Sequence, residues 1–176
     1  MKTIHNWFDE YGESHQNKKN KLIHWICIPL IFWSIIALLA VIPSDQMEFT
    51  GLIILDGCLH WGTAIILLGL LFYLRLSFSI FLGMFLFSVL ILLDIHFTVY
   101  WFDTHRFWGI LDGFNISGKM FLFYLAILVF IIAWIMQFIG HKIEGKKPSF
   151  FKDLQFLLIG PAWLLGFILK KLKIKY

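Results

Sequence analysis

Residues 121–141 read FLFYLAILVFIIAWIMQFIGH, and no charged side chain stands between Lys119 and His141. About 20 apolar residues in a helix cross a bilayer core, so this stretch is expected to span a membrane. Its end is as informative as its middle. Trp134, Gln137, His141 and Glu144 are spaced three, four and three apart, which puts the polar groups on one helical stripe if the helix continues. Polar side chains kept at the mouth of a membrane segment usually line a site.

Further apolar runs lie at about 22–42, 51–74 and 76–101, with a shorter one at about 154–169. The composition agrees: 60% hydrophobic, 19% aromatic and 15% charged over 176 residues, with a mean hydropathy of +0.80. A soluble domain of this length needs far more charge to cover its surface. Cys27 and Cys58 lie inside apolar runs without metal or disulfide spacing and read as small core residues. Asp9, Glu10 and Glu13 precede the first run in place of a basic n-region, so that run is expected to be a permanent helix. No nucleic-acid partner and no obligate protein partner is expected; the partner of the apolar faces is the bilayer.

The predicted fold is all-α, a polytopic membrane helix bundle with four transmembrane helices and a C-terminal re-entrant or interfacial helical hairpin. It forms a single integral membrane domain over residues 1–176. A cytoplasmic segment covers 1–21, the helices lie at about 22–42, 51–74, 76–101 and 119–140, and the hairpin at about 150–170. Leu74, Arg75, Leu76 and Ser77 join the second and third helices in a tight turn. Pro43 closes the first helix, and Gly109, Gly113 and Gly118 mark the sizeable loop from Asp103. Sidedness follows from basic residues in short loops, which favour the cytoplasmic face. Lys18, Lys19 and Lys21, then Arg75, then Lys142, Lys146, Lys147 and Lys152 all fall on one side, whereas Asp45 and Glu48 fall on the other. A fifth crossing would strand Lys170, Lys171, Lys173 and Lys175 outside. Gly160 and Pro161 are therefore expected to break the last apolar stretch, which returns to the cytoplasm with both termini.

That topology brings Tyr11-x3-His15-x4-Asn20-x3-His24 to the same membrane face as Gln137 and His141. One straight helix would point His15 and His24 apart by about half a turn. The polar run Gln16 to Asn20 allows a turn, with which Tyr11 and His15 fold back over His24. A histidine near a helix end is ordinarily an interfacial polar residue or a cap. Three imidazoles on one predicted face with a carboxylate nearby suit a borderline divalent metal such as iron, zinc or manganese, with Asn20 and Gln137 orienting the rings. Elsewhere, Asp56, His60 and Thr63 share a face of the second helix, where Asp56 and His60 are expected to pair across helices. Asp94, His96, Tyr100, Asp103 and His105 mark a wetted far mouth. A rival function follows from these groups: a small transporter or channel with a proton or ion path through Asp56, His60, Asp94 and His96.

The string Tyr11-x3-His15-x-Asn17-x2-Asn20-x2-Ile23-His24-x4-Pro29, followed by Trp134-x2-Gln137-Phe138-x-Gly140-His141, Glu144, Lys146, Lys147, Pro148 and Gly160-Pro161, resembles the 2-hydroxy fatty acid dioxygenase family. Its best-known member is a fungal endoplasmic-reticulum protein of lipid alpha-oxidation, and it has many bacterial relatives. The match spans both ends of the chain, while residues 45–118 match only as hydrophobic helices. The resemblance implies an iron(II)-dependent dioxygenase that shortens a 2-hydroxy fatty acid by one carbon and releases carbon dioxide, set in a bacterial inner membrane with a cytoplasmic active site. His15, His24 and His141 take the places of family histidines and are the implied iron ligands. Tyr11, Asn20 and Gln137 flank them, dioxygen is the co-substrate, and zinc would also fit three histidines. Lys142, Lys146 or Lys147 would attract the substrate carboxylate, although basic residues there also set topology. In the fungal-type motif the acidic residue stands four places after the final histidine; here Glu144 stands three after His141, a rotation of about 100 degrees on a helix.

Overall fold

The computed structural model describes residues 2–47, 49–105, 116–146 and 156–176. Among them the secondary structure is helical, with no strand. In order the helices are α1 Ile4–Gly12, α2 Lys18–Ala40, α3 Ile53–Cys58, α4 Trp61–Leu76, α5 Phe78–His105, α6 Gly118–Glu144 and α7 Phe156–Lys171, with a 3-10 turn at Asp45–Met47. Helices α2, α5 and α6 are long and apolar enough to cross a membrane; α4 is a shorter apolar helix. Their outward faces carry large exposed hydrophobics such as Leu22, Leu68, Leu90 and Leu128, the pattern of a surface made for an apolar solvent rather than water. Lys147, Pro148, Lys152, Gly109, Gly113, Glu48 and residues 150–155 of the expected hairpin lie outside the described residues.

Composition alone predicts no element in residues 1–21, since nine residues of helix do not fold in isolation. Helix α1 forms nonetheless. Thr3 and Asn6 close a capping box at its start, and Ile4, Trp7, Phe8 and Tyr11 form a buried stripe. That stripe docks on α7: Trp7 meets Phe156 edge-on at 5.5 Å, and Tyr11 packs on Trp163 at 5.3 Å. At Gly166 an added Cβ would stand 2.5 Å from Phe8 Cε2, so the missing side chain lets the two helices close.

Helix α2 starts at Asn17, whose side chain accepts from Lys19 N at 2.9 Å. The helix therefore begins inside the polar run and carries Asn20 and His24 one turn apart. Helix α6 starts on the Ser117 cap and ends at Gly145 in the left-handed region, φ +73°. Among the described residues these two helices make the most extensive pairing. They run antiparallel: Cys27 and Ile31 pack with Ala133, while His24 near the start of α2 meets His141 near the end of α6.

Three expectations need correction. Residues 51–74 do not form one helix: Leu59 and His60 are extended between α3 and α4. His60 Nδ1 accepts from Gly62 N, and the Thr63 hydroxyl turns back to the Cys58 carbonyl, so local side-chain bonds replace helical ones at the joint. Asp56 and His60 do not pair, because the Asp56 carboxylate accepts from Thr50 N and Oγ1 and from Gly51 N. Helix α7, in turn, runs unbroken through Gly160 and Pro161. The interruption that proline causes is tolerated where neighbouring protein covers the backbone, and Ile159 to Leu164 are all buried.

Candidate metal centre

Three elements carry the histidines. His15 sits in the turn after α1, His24 in the second turn of α2, and His141 near the end of α6. They are 0%, 0% and 5% exposed. The rings are mutually close, with centroids 4.2 Å apart for His15 and His24, 5.1 Å for His15 and His141, and 4.9 Å for His24 and His141. One ligand nitrogen from each lies within 4.8 Å of the others, a group that could hold a metal ion.

The orientation of each ring has a local cause. His15 Nδ1–H donates to the Tyr11 carbonyl at 2.6 Å, and His24 Nδ1–H donates to the Asn20 carbonyl at 2.9 Å, both four residues back. With Nδ1 carrying the proton, Nε2 keeps its lone pair and faces inward, the arrangement in which backbone carbonyls orient ligand imidazoles. His24 Nε2 lies 3.2 Å from His141 Nε2. His15 Nε2 is buried without a hydrogen-bond partner among the described residues. Burial pushes the His15 imidazolium down to about 4, so the ring is neutral at neutral pH. Tyr11 stacks on it at 4.3 Å and 12°, and Trp163 lies 5.3 Å away.

Glu144 does not point into the cluster as a free base. Its carboxylate accepts from Gln16 N at 2.8 Å, Asn17 N at 2.9 Å and Asn20 Nδ2 at 3.0 Å. Asn20 also donates to the Ser14 carbonyl at 3.1 Å. The end of α6 thus straps down the turn that holds His15, and Lys146 adds a bond from Nζ to the Glu13 carbonyl at 2.7 Å. The expected stripe on α6 is present: Gln137 and His141 are buried, and Trp134 is half-buried above them. Lys142 is exposed.

Fit to a metal can be judged from the donors. Two Nε2 atoms 3.2 Å apart have the separation of two nitrogens each about 2.0–2.1 Å from one ion. The buried, unpartnered His15 Nε2 is the atom a core would not leave unsatisfied without a further partner. Neutral imidazoles suit iron and zinc alike.

At the far end, Asp56, His60, His96 and Lys119 border a separate cavity of about 80 Å³. His60 is 4% exposed and its Nε2 has no partner among the described residues. Asp94 accepts from Trp33 Nε1 at 2.7 Å, and Asp103 accepts from Gly118 N at 2.6 Å. The structure does not bring any of these groups into the histidine cluster.

Sequence reasoning missed the role of α1. The signal was present in the spacing of Ile4, Trp7, Phe8 and Tyr11, with Thr3 and Asn6 ahead of it.

A helical, apolar chain with three converging buried imidazoles is of the class that places a candidate metal centre against apolar helices. The family described as 2-hydroxy-palmitic acid dioxygenase Mpo1-like matches residues 1–172, and the chain belongs to it. No curated protein and no solved structure matches the chain.

Proposed function

We propose that this protein is a membrane-embedded, iron(II)-dependent dioxygenase that converts a 2-hydroxy fatty acid to the fatty acid one carbon shorter. In balance, the 2-hydroxy acid and dioxygen give the shortened acid, carbon dioxide and water. The substrate supplies all the electrons that dioxygen takes up, so no separate reductant is required. The observation that carries the proposal is the convergence of three fully or almost fully buried imidazoles, two of them held by backbone carbonyls with Nε2 facing inward. Family membership supplies the substrate class.

His15, His24 and His141 would hold the metal. Iron(II), when bound, supplies dioxygen activation and Lewis acidity toward the carboxylate and 2-hydroxyl. Everything else is done by the chain. The Tyr11 and Asn20 carbonyls fix the tautomers of His15 and His24. Glu144 is a positioning residue that anchors the turn between them. The Tyr11 and Trp163 rings cover His15 and exclude water. The same donor set would accept zinc, which cannot carry out this oxidation because it has no redox chemistry.

The proposed setting is the bacterial inner membrane, with four crossings: α2, the α3–α4 pair, α5 and α6. Arg75 at the end of α4, Lys18, Lys19 and Lys21 at the start of α2, and Lys142 and Lys146 near the end of α6 fit a cytoplasmic site. The Tyr176 ring lies 5.5 Å from that of His5, tilted by 34°, which fits both termini on that side. Helix α7 would lie against α1 at that side with Lys170 and Lys171 at its cytoplasmic end, the whole forming one domain.

The test is anaerobic purification in detergent with metal analysis of wild type, His15→Ala, His24→Ala and His141→Ala, followed by assay of carbon dioxide release from 2-hydroxyhexadecanoic acid. Stoichiometric iron lost in every variant together with its activity is the expected result. Iron indifferent to all three changes would refute the shared centre.

A further inference from the structure

A narrow cavity of about 60 Å³ opens beside the histidine cluster between α2, α6 and α7. Its two ends differ in chemistry. Along α2 its wall is Ile28, Ile31, Phe32 and Ile35, spaced three, one and three apart and so forming a single helical stripe. Trp134 of α6 stands on the same apolar length. The polar groups gather at the inner end, where His141, Gln137 and Tyr11 line the cavity. Tyr11 and Gln137 are 6% and 7% exposed. Neither the phenol nor the amide makes a side-chain hydrogen bond among the described residues, and both line the cavity, so their polar groups are free to meet a ligand there. Gly160 forms the wall opposite Tyr11; an added Cβ there would stand 3.1 Å from the phenol oxygen and 3.4 Å from Ile28 Cδ1. The missing side chain keeps this end open.

We propose that this cavity is the acyl-chain site: the substrate enters head first and sideways from the membrane, with its carboxylate taking hydrogen bonds from Tyr11 Oη and Gln137 Nε2 beside His141. Its chain then runs along the Ile28, Ile31 and Ile35 stripe and leaves past Trp134. The identity of the ligand rests on the dioxygenase reading; the existence of the site does not. The Tyr11 phenol faces the cavity next to Gly160 and offers its O–H there as a donor. The cavity has room for roughly four to six water-sized groups, enough for the head and first methylenes. From Ile28 to Ile35 the stripe rises about 10 Å, and the rest of a long chain lies in lipid. Specificity is therefore set near the head: the site discriminates against bulk close to the hydroxyl and tolerates added length at the tail. The lysines are not needed to hold the carboxylate, and Lys146 is already bonded to the Glu13 carbonyl.

The experiment uses full-length wild-type protein, Ile31→Trp and Gln137→Leu in detergent, each with bound metal measured as a check on folding. A 2-hydroxyhexadecanoic acid bearing a diazirine close to its head is photolysed with and without excess unlabelled acid, and adducts are mapped by peptide mass spectrometry. The expected result is competed labelling on the cavity wall: at Tyr11, within residues 28–35, at Trp134 or Gln137, or within residues 156–161. In Ile31→Trp it falls about tenfold or more with metal retained, the discrimination that one misfit in an apolar pocket gives. Gln137→Leu should raise KM more than it lowers kcat. Head-probe adducts confined to other segments, no competed adducts at all, or equal labelling in Ile31→Trp would overturn the site. Competed labelling of the cavity without turnover of any 2-hydroxy acid would support the site and count against the dioxygenase reading alone.

Discussion

Glu144 and Asn20 are joined across the α2–α6 interface by a 3.0 Å hydrogen bond from Asn20 Nδ2 to Glu144 Oε2. The same carboxylate receives the backbone N–H groups of Gln16 and Asn17. One side chain at the end of α6 therefore sets the path of the chain between His15 and His24. Its three-residue offset from His141 is what this geometry needs, because the target is the turn and not the space between the rings.

Removing that strap should be felt at the metal. Glu144→Ala is expected to weaken metal affinity by about ten- to a hundredfold, the usual effect of deleting a group that orients ligands. Glu144→Gln, which keeps an acceptor, should lose less. Competition titration with a chelator in detergent measures both. Unchanged affinity in Glu144→Ala would remove the positioning role.

Gly140 lies where an added Cβ would run into Asn20 Oδ1. Gly140→Ala should therefore force α2 and α6 apart at the centre, costing about 1–3 kcal/mol as overpacking and lowering metal occupancy. The second change Asn20→Ala should relieve the crowding and recover the melting temperature without restoring metal affinity, since the bond to Glu144 is still missing. A thermal melt paired with metal analysis separates the two effects.

The contact of Phe8 with Gly166 gives a remote handle on the site. Gly166→Ala is expected to lift α1 from α7, and because Tyr11 and His15 move with α1, hydrogen exchange in residues 4–15 should rise as metal is lost. Phe8→Ala in the same chain should reverse part of that loss. Slow exchange in the single variant would show that α1 tolerates the extra methyl group.

The far polar groups discriminate between an enzyme and an ion path. His60→Ala removes the cap of α4, for which about 0.5–2 kcal/mol of stability is expected to be lost, and neither it nor Asp56→Asn should change bound metal. Proton flux in liposomes should be indistinguishable among wild type, His60→Ala and Asp56→Asn. Flux present in wild type and lost in His60→Ala would favour transport.

The helical bundle and the meeting of His15, His24 and His141 were legible in the sequence, because long uncharged runs and the 134, 137, 141, 144 stripe each reflect one dominant force. Other features depended on contacts between distant segments. Helix α1 is too short to form on propensity, and its partner Trp163 lies at the opposite end of the chain. The joint at His60 is a competition between helical bonds and a histidine cap inside an apolar run, which hydropathy does not register. Pro161 signals a break only where backbone is exposed to an unsuitable solvent, and burial of its neighbours removes that penalty. The destination of Glu144 depended on the turn before α2, which spacing along α6 alone does not describe.

The cluster draws its first two imidazoles from the opening turns of the chain and its third from near the end, with His24 and His141 117 positions apart. At a synthesis rate of about 5–20 residues per second, roughly 6 to 23 s separate the emergence of these two partners from the ribosome. During that interval the nascent chain holds His15 and His24 as an incomplete pair. Loading of the proposed metal would therefore be a late event in biogenesis, possible only after α6 has been made and has returned to α2, and a chain arrested before that point would have no centre to load.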